Sequence, residues 1–152
     1  MHGYGRPRGE PDLRLAGLEV WVHGRECEDQ TDFWDGNWLR VTARCRADGA
    51  NVLTAGPILR VDELVRWVGQ VEALGRGLSG TAVLEPMEPA LRVELIAQAA
   101  GRMEMRVEIS PNPVEQRHSF SFALDQSFLP PLLADVRRIL QRFPLRGSTE
   151  EP

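Results

Sequence analysis

Residues 102–109 read Arg-Met-Glu-Met-Arg-Val-Glu-Ile, in which charged and apolar side chains alternate without exception. Successive side chains of a β-strand point to opposite faces of its sheet, so this order gives one apolar face and one charged face. In a helix, the same apolar residues would be scattered around the axis. The segment therefore predicts a half-buried strand. Ala99-Ala100-Gly101, just before it, predicts the tight turn of a hairpin with the preceding strand.

The same alternation recurs along most of the chain. It predicts further strands at residues 18–23, 38–45, 51–54 or 58–61, 81–84, 91–95 and 119–124. In the last of these, Phe120, Phe122 and Leu124 share the apolar phase and are expected to face the core. Short connections and two-sided alternation favour antiparallel pairing, with one face of the sheet covered and the other in water.

In two segments the apolar residues recur at the spacing of a helix instead of that of a strand. Residues 62–74 carry an apolar stripe, with Asp62 placed to cap the first turn and glycines after Leu74 to end the helix. Residues 130–143 carry a broader apolar face, with Pro130 in the first turn and Pro144 preventing continuation. Asp125, at the end of the preceding strand, is expected to cap this last helix rather than to bind a partner.

We therefore expect an α+β fold. The prediction is a single domain over residues 12–146, with a mainly antiparallel sheet of about 6–7 strands and two amphipathic helices packed on it. Residues 1–11 are rich in Gly, Pro and Arg and are expected to form a mobile tail. Residues 147–152 are expected to form a second, loose tail.

Composition limits the classes of protein to consider. The chain has 152 residues, 42% hydrophobic and 26% charged, as in soluble globular domains. No apolar run approaches the roughly 20 residues of a membrane span, and no secretory signal is seen at the start. We expect a cytoplasmic protein whose two cysteines, Cys27 and Cys45, are free thiols. Cys45 lies on the apolar phase of a strand and is expected in the core.

The charge is unevenly distributed. All 18 basic residues are arginine and the net charge is −4. Residues 17–36 hold six acids and one base, a balance of −5, whereas the other 16 acids and 17 bases give +1. This distribution argues against a nucleic-acid binder, which needs a basic stripe, and suits a basic partner instead. The alternative is a solvated acidic loop without any partner.

Aromatic residues flank this acidic segment. Residues 33–39 read Phe-Trp-Asp-Gly-Asn-Trp-Leu, and exposed tryptophan beside charge is typical of interaction hot spots. Alternatively, the rings fold back over the end of the sheet, since tryptophan is usually largely buried. The candidate partner-binding residues are Glu26, Glu28, Asp29, Asp32, Trp34, Asp35 and Trp38.

Signals for catalysis or metal binding are weak. His23, Glu26 and Cys27 are close in sequence, but no second ligand pair completes a zinc motif. Residues 75–80 have the letters of a dinucleotide-binding loop, yet they follow a helix and precede a strand, the reverse of the required order. Glu85 and the nearby Glu88 flank a proline at a predicted strand end, where proline more simply blunts the edge. We expect no enzyme, no metal and no cofactor.

The motifs resemble a known family. Phe-Trp-Asp-Gly-Asn-Trp-Leu at 33–39, Leu-Glu-Pro at 84–86 and Asp-Gln-Ser-Phe-Leu at 125–129 have the order and spacing of WapI-type immunity proteins. The similarity runs from about Leu18 to Pro144, and related uncharacterised bacterial domains share it. The resemblance implies a small cytoplasmic bacterial protein that binds and blocks the C-terminal domain of a secreted toxin, often a nuclease acting on RNA.

A second hypothesis comes from a different class. The charged face of the strand at 102–109 suits self-association across a two-fold axis, which would make the chain a structural domain with no toxin partner. The residues concerned are Arg102, Glu104, Arg106 and Glu108. The sequence leaves the oligomeric state open.

Overall fold

The computed structural model describes Pro7 and residues 9–149. The remaining residues of the two predicted tails, 1–6, 8 and 150–152, lie outside the described residues. In chain order the elements are β1 (Leu13–Leu15), β2 (Leu18–Arg25), α1 (Phe33–Gly36), β3 (Trp38–Ala47), β4 (Ala50–Arg60), α2 (Val61–Gly77), β5 (Thr81–Leu84), β6 (Leu91–Ala97), β7 (Arg102–Ile109), β8 (Ser119–Asp125) and α3 (Leu129–Arg142).

The eight strands form two sheets. One has the order β1-β2-β3-β4 and the other β5-β6-β7-β8, and every neighbouring pair is antiparallel. The predicted α+β class is confirmed. The strands divide into two sheets because α2, which follows β4 directly, carries the chain away for 17 residues before β5 begins.

The two halves of the chain repeat one topology and interlock. Each half is a four-stranded meander followed by a helix, and each helix packs against the first strand of the other half, α2 against β5 and α3 against β1. Helix side chains also close these two sheet edges. Gln70 accepts a hydrogen bond from the backbone N–H of Val83 at 2.7 Å, and Asp135 accepts one from the N–H of Arg14 at 3.1 Å. The first strand of each sheet is therefore covered by the helix of the other half and not by its own.

The alternation of apolar and polar residues along the strands correctly identifies which side chains lie in the core. Met103, Met105, Val107 and Ile109 of β7 are each at most 2% exposed. Cys45 is fully buried, and this burial raises the pKa of its thiol to about 12, so it packs as an apolar side chain. The predicted turn between β6 and β7 is confirmed at residues 99–101, where Ala100 and Gly101 have positive φ.

One predicted helix cap is wrong. Asp62 was expected to cap α2, but the helix begins at Val61 and the capping carboxylate belongs to Glu63, which accepts from the backbone N–H of Arg60 at 2.7 Å. The acceptor Glu63 lies three positions after the donor Arg60, which is the spacing of a capping box. Asp62 lies one position too early and pairs instead with the Arg60 side chain at 2.9 Å.

The proline signals at the last helix are confirmed, but Asp125 does not cap α3 itself, whose N-cap is Phe128. Pro130 lies in the first turn of α3, which ends at Arg142, two residues before Pro144. Asp125 accepts a hydrogen bond from the N–H of Ser127 at 2.8 Å and so caps the short turn that leads into α3. Among the described residues, no helix is both long and apolar enough to cross a membrane.

Candidate functional site

Residues 26–37, here called the acidic loop, connect β2 to β3 and contain the one-turn helix α1. Asp32 begins this turn, and its side chain accepts from the backbone N–H of Asp35 at 3.0 Å. Six of the seven candidate residues lie in this loop and Trp38 follows it as the first residue of β3, so all seven lie at one end of the first sheet. Asp32 and Trp38 are half-buried, and the exposed members are Glu26, Glu28, Asp29, Trp34 and Asp35.

Most of the carboxylates in the loop form no ion pair, although Glu28 interacts through its charge with Arg25. Glu26 lies 3.8 Å from Nε of Arg40, and both side chains are 39% exposed. Within the part of the chain that the structure describes, the other four carboxylates form no ion pair: Glu28, Asp29, Asp32 and Asp35. The loop therefore keeps a net negative charge facing solvent.

Glu19 shows the opposite arrangement. It belongs to the same acidic segment of sequence but is 8% exposed in β2, where it pairs with Arg44 at 2.8 Å, Arg46 at 3.1 Å and Arg14 at 3.9 Å. Burial alone would raise the pKa of Glu19, but the hydrogen bond and charge of Arg44, assisted by the other two arginines, lower it. Glu19 is thus neutralised by the protein itself and contributes no free charge to the surface.

A buried arginine supports the aromatic residues of the loop. Arg60, 1% exposed at the end of β4, places its guanidinium carbon 5.2 Å from the ring centre of Phe33, 5.6 Å from Trp34 and 5.1 Å from Trp38. It also donates to the carbonyl of Trp34 at 2.6 Å and to that of Phe33 at 2.7 Å. One side chain therefore holds both the rings and the backbone of α1.

Sequence reasoning missed Arg60. A signal was available, because Arg60 stands between Leu59 and Val61 in an otherwise apolar run, and a buried charge needs partners. Behind it lies Glu63, 6% exposed, which joins Arg60 to the segment after β5. Burial raises the pKa of the Glu63 carboxyl, although hydrogen bonds from the backbone of Met87 and Arg60 oppose the shift.

The tryptophans differ in exposure. Trp34 is 57% exposed and meets Phe33 edge to face, with ring centres 4.9 Å apart. Trp21, in contrast, is only 6% exposed, with Arg44 over its ring at 5.2 Å and its indole N–H donated to the carbonyl of Gly9. The alternative that the rings of residues 33–39 fold back over the end of the sheet does not describe the exposed Trp34, whereas Trp38 is half-buried against Arg60.

Two more arginines fix the loop through its backbone. Arg25 is 4% exposed and donates to the carbonyls of Gly36 and Pro144. Arg146 donates to the carbonyls of Glu28 at 2.9 Å and Gln30 at 2.7 Å. The segment 144–146, here called the C-terminal strap, thus holds the loop in place. These guanidinium groups bond to carbonyls rather than forming ion pairs with the carboxylates, and Arg25 interacts with Glu28 through its charge alone.

Among the described residues, no group of three or more His, Cys, Asp and Glu side chains is placed to hold a metal ion. A cavity of about 440 Å³ lies beside the loop after β7 and is lined in part by Ser110 and His118. In that cavity His118 contacts Gln116 at 3.1 Å, whereas Ser110 accepts from the backbone of Asn112.

Comparison with known proteins bears on this site. The family model described as the Immunity protein WapI-like family matches residues 12–144, nearly all of the described fold. The chain belongs to the WapI-like immunity protein family. The match confirms the resemblance seen in the motifs at 33–39, 84–86 and 125–129.

Other comparisons add little to the WapI-like assignment. No curated protein matches the chain. A solved structure described as the plant transcriptional regulator PBF-2 is similar to it at 10% identity, over 83% of this chain and 75% of that one. The TM-score of 0.48 is too low to support an argument from that structure.

Proposed function

We propose that this WapI-like protein is a non-enzymatic, cytoplasmic immunity protein that neutralises a cognate bacterial toxin domain through the acidic loop. The supporting observation is that four carboxylates of the loop have no ion pair among the described residues, beside a tryptophan that is 57% exposed. Unpaired charge attracts a partner of opposite sign from a distance, and an exposed indole supplies contact area once the partner arrives.

The loop is also rigidly held. Arg60 fixes the rings from below, and Arg25 and Arg146 fix the backbone through its carbonyls. A surface that is already ordered loses little conformational entropy on binding, so more of the contact energy appears as affinity. These contacts favour a docking function over an inert loop.

The charge indicates the class of partner. A nuclease domain that acts on RNA must present basic residues to phosphate groups, and the carboxylates of the loop would pair with those same residues. We propose a basic toxin domain of this kind, and no role for nucleic acid or membrane in binding.

The test compares two variants with equal changes in charge. The first neutralises three loop residues through Glu28→Gln, Asp29→Asn and Asp35→Asn. The control neutralises three exposed residues elsewhere that form no ion pair in the described structure, through Asp48→Asn, Glu108→Gln and Glu115→Gln. The ligand is the purified C-terminal domain of the toxin that we expect to be encoded beside this gene, with Kd measured calorimetrically at low and high salt.

We expect the loop variant to bind at least about tenfold more weakly at low salt, with a smaller difference at high salt because salt screens the attraction. The control should stay within about twofold. Equal affinities for the two variants would contradict the role of the loop, and absence of binding by the wild-type protein would contradict the proposed function.

The self-association hypothesis has less support. On the charged face of β7, Arg106 pairs with Glu104 at 3.1 Å and reaches Glu94 at 3.9 Å, while Arg92 pairs with Glu94 at 3.0 Å. Side chains that are already paired within the chain gain little by pairing across a two-fold axis. Light scattering over a range of concentrations tests this alternative, which requires a dimer.

A further inference from the structure

Met87 is conspicuously exposed for a large apolar residue. Its side chain is 66% exposed, more than that of Trp34, and it lies in the segment Leu84-Glu85-Pro86-Met87-Glu88-Pro89 between β5 and β6. This segment lies outside the acidic loop, and its Leu-Glu-Pro is one of the three motifs in which the chain resembles the family. Residues 85–89 are here called the Met87 loop.

A buried carboxylate connects the Met87 loop to the aromatic cluster. One oxygen of Glu63 accepts from the backbone N–H of Arg60 at 2.7 Å, and the other accepts from the N–H of Met87 at 2.7 Å. Arg60 is the residue that supports Trp34. A continuous chain of hydrogen bonds through the buried Arg60 and Glu63 therefore holds the backbone of Trp34 and that of Met87 at the same end of α2.

The two loops have similar chemistry. In the acidic loop, Trp34 lies between Asp32 and Asp35, and in the second loop Met87 lies between Glu85 and Glu88. Glu85 keeps 69% of its side chain exposed while 3.6 Å from Arg92, and Glu88 forms no ion pair with any described residue. Both loops thus present an apolar anchor among carboxylates, the complement of one basic surface.

Prolines stiffen the Met87 loop. Pro86 is buried and Pro89 follows two residues after Met87, so the backbone on both sides of the anchor has restricted φ. Methionine itself adapts to irregular apolar surfaces. A fixed backbone that carries an adaptable apolar side chain is well suited to an anchor at an interface.

The size of a stable interface also favours two loops. A standard interface covers about 800 Å² and 20–30 residues on each partner. The acidic loop contains 12 residues, several of them turned inward, and provides only part of such an area. The Met87 loop is the neighbouring surface with matching charge.

We infer that the Met87 loop is the second half of the docking surface for the basic toxin domain, with Met87 as its anchor and Glu63 as the positioning residue that sets it beside Trp34. This inference rests on the proposed function and adds to it a second contact region. It predicts that one toxin domain covers Trp34 and Met87 together.

The test uses the toxin domain described above and three single variants. Met87→Ala and Trp34→Ala each remove one exposed anchor. The control is Leu78→Ala, which shortens an exposed apolar side chain at the opposite end of α2, 15 residues beyond Glu63 and about 22 Å away by the rise of 1.5 Å per residue. Thermal unfolding of each variant without toxin shows whether the fold is retained.

We expect Met87→Ala and Trp34→Ala each to raise Kd by about tenfold or more, and Leu78→Ala to change it by less than about twofold. If Met87→Ala binds like the wild type while Trp34→Ala is weakened, the inference is overturned and the proposed function survives. If neither variant nor the acidic-loop variant differs from the wild type, the proposed function fails as well.

Discussion

Arg60 holds a full positive charge at 1% exposure, and its surroundings explain how. Its planar guanidinium group stacks among three aromatic rings, while its edge donates to the carbonyls of Phe33 and Trp34 and to Asp62. Only arginine combines a flat face for stacking with several donors in fixed directions. The position of Trp34 therefore depends on a residue that the partner would never touch.

Replacing Arg60 by lysine should disrupt this cluster. An ammonium group cannot satisfy two carbonyls and a carboxylate in those directions or stack on the rings, so Arg60→Lys is expected to lower the free energy of unfolding by about 2–4 kcal/mol. Urea denaturation measures the change, and tryptophan emission should shift to the red. The control is Arg76→Lys at a side chain that is 73% exposed on α2, with an expected change within about 0.5 kcal/mol. Equal losses in the two variants would contradict the assigned role.

At the scale of single residues, the sequence shows which residues are charged but not which of those charges are paired within the folded protein. Glu19 and Asp29 look equivalent in the acidic segment, yet one lies beneath three arginines and the other has no ion pair in the described structure. Two of these arginines, Arg44 and Arg46, lie 25 and 27 residues away in sequence, on a strand whose register the pattern does not reveal. Exposure of Trp34 likewise depends on Arg60, 26 residues away.

The acidic loop depends on a close approach of its own backbone. A Cβ atom on Gly36 would lie 2.6 Å from the carbonyl oxygen of Gln30, well inside contact distance. The first and last parts of the loop meet at this point, and the carbonyl of Gly36 also receives Arg25. Glycine is therefore required here for space rather than for an unusual φ.

Adding a methyl group at Gly36 tests this packing. Gly36→Ala is expected to lower the free energy of unfolding by about 1–3 kcal/mol through overpacking. Because the added methyl group also displaces the loop backbone, we expect the folded variant to bind the toxin domain more weakly. The matched control is Gly69→Ala in α2, where no atom lies within 4 Å of the added Cβ. Removing a helical glycine should stabilise the protein by about 0.5–1 kcal/mol. Thermal denaturation measures both, and effects of the same sign would contradict the packing argument.

The sequence predicted the individual strands and helices better than it predicted how the strands group into sheets. Alternation in β7 and the stripes of α2 and α3 depend on local geometry, so the sequence alone identifies them. The cap of α2 was misplaced by one residue because Asp62 and Glu63 are both acidic and only Glu63 has the spacing that reaches the N–H of Arg60. The division into two sheets depends on where α2 directs the chain, which no local pattern encodes.

The whole molecule consists of two similar halves that complete each other. Each meander leaves its first strand to be covered by the helix of the other half, through Gln70 on Val83 and Asp135 on Arg14. No repeat is visible in the sequence because a meander followed by a helix requires only alternation and a stripe, which many residues satisfy. Separated halves would each expose an apolar helix face and an open sheet edge.

The halves should therefore unfold together. All four tryptophans lie in the first half, at positions 21, 34, 38 and 67, so their fluorescence reports on that half and, through Trp67 of α2, on its contact with the second half. Hydrogen exchange of peptides from residues 91–125 reports on the second sheet. We expect both probes to give the same midpoint in urea, because exposing either half uncovers the other. A fluorescence transition at lower urea than the exchange transition would show that the halves are independent.

The C-terminal strap makes the acidic loop depend on a segment that belongs to neither sheet. Proteolytic cleavage that removed Arg146 would remove donors to Glu28, Gln30 and Asn37 without cutting any strand or helix. The first part of the loop would lose these contacts, while Arg25 and Arg60 would still hold residues 33–36. Such cleavage would change the shape of this surface before the fold denatured, so a melting temperature alone would not detect the damage.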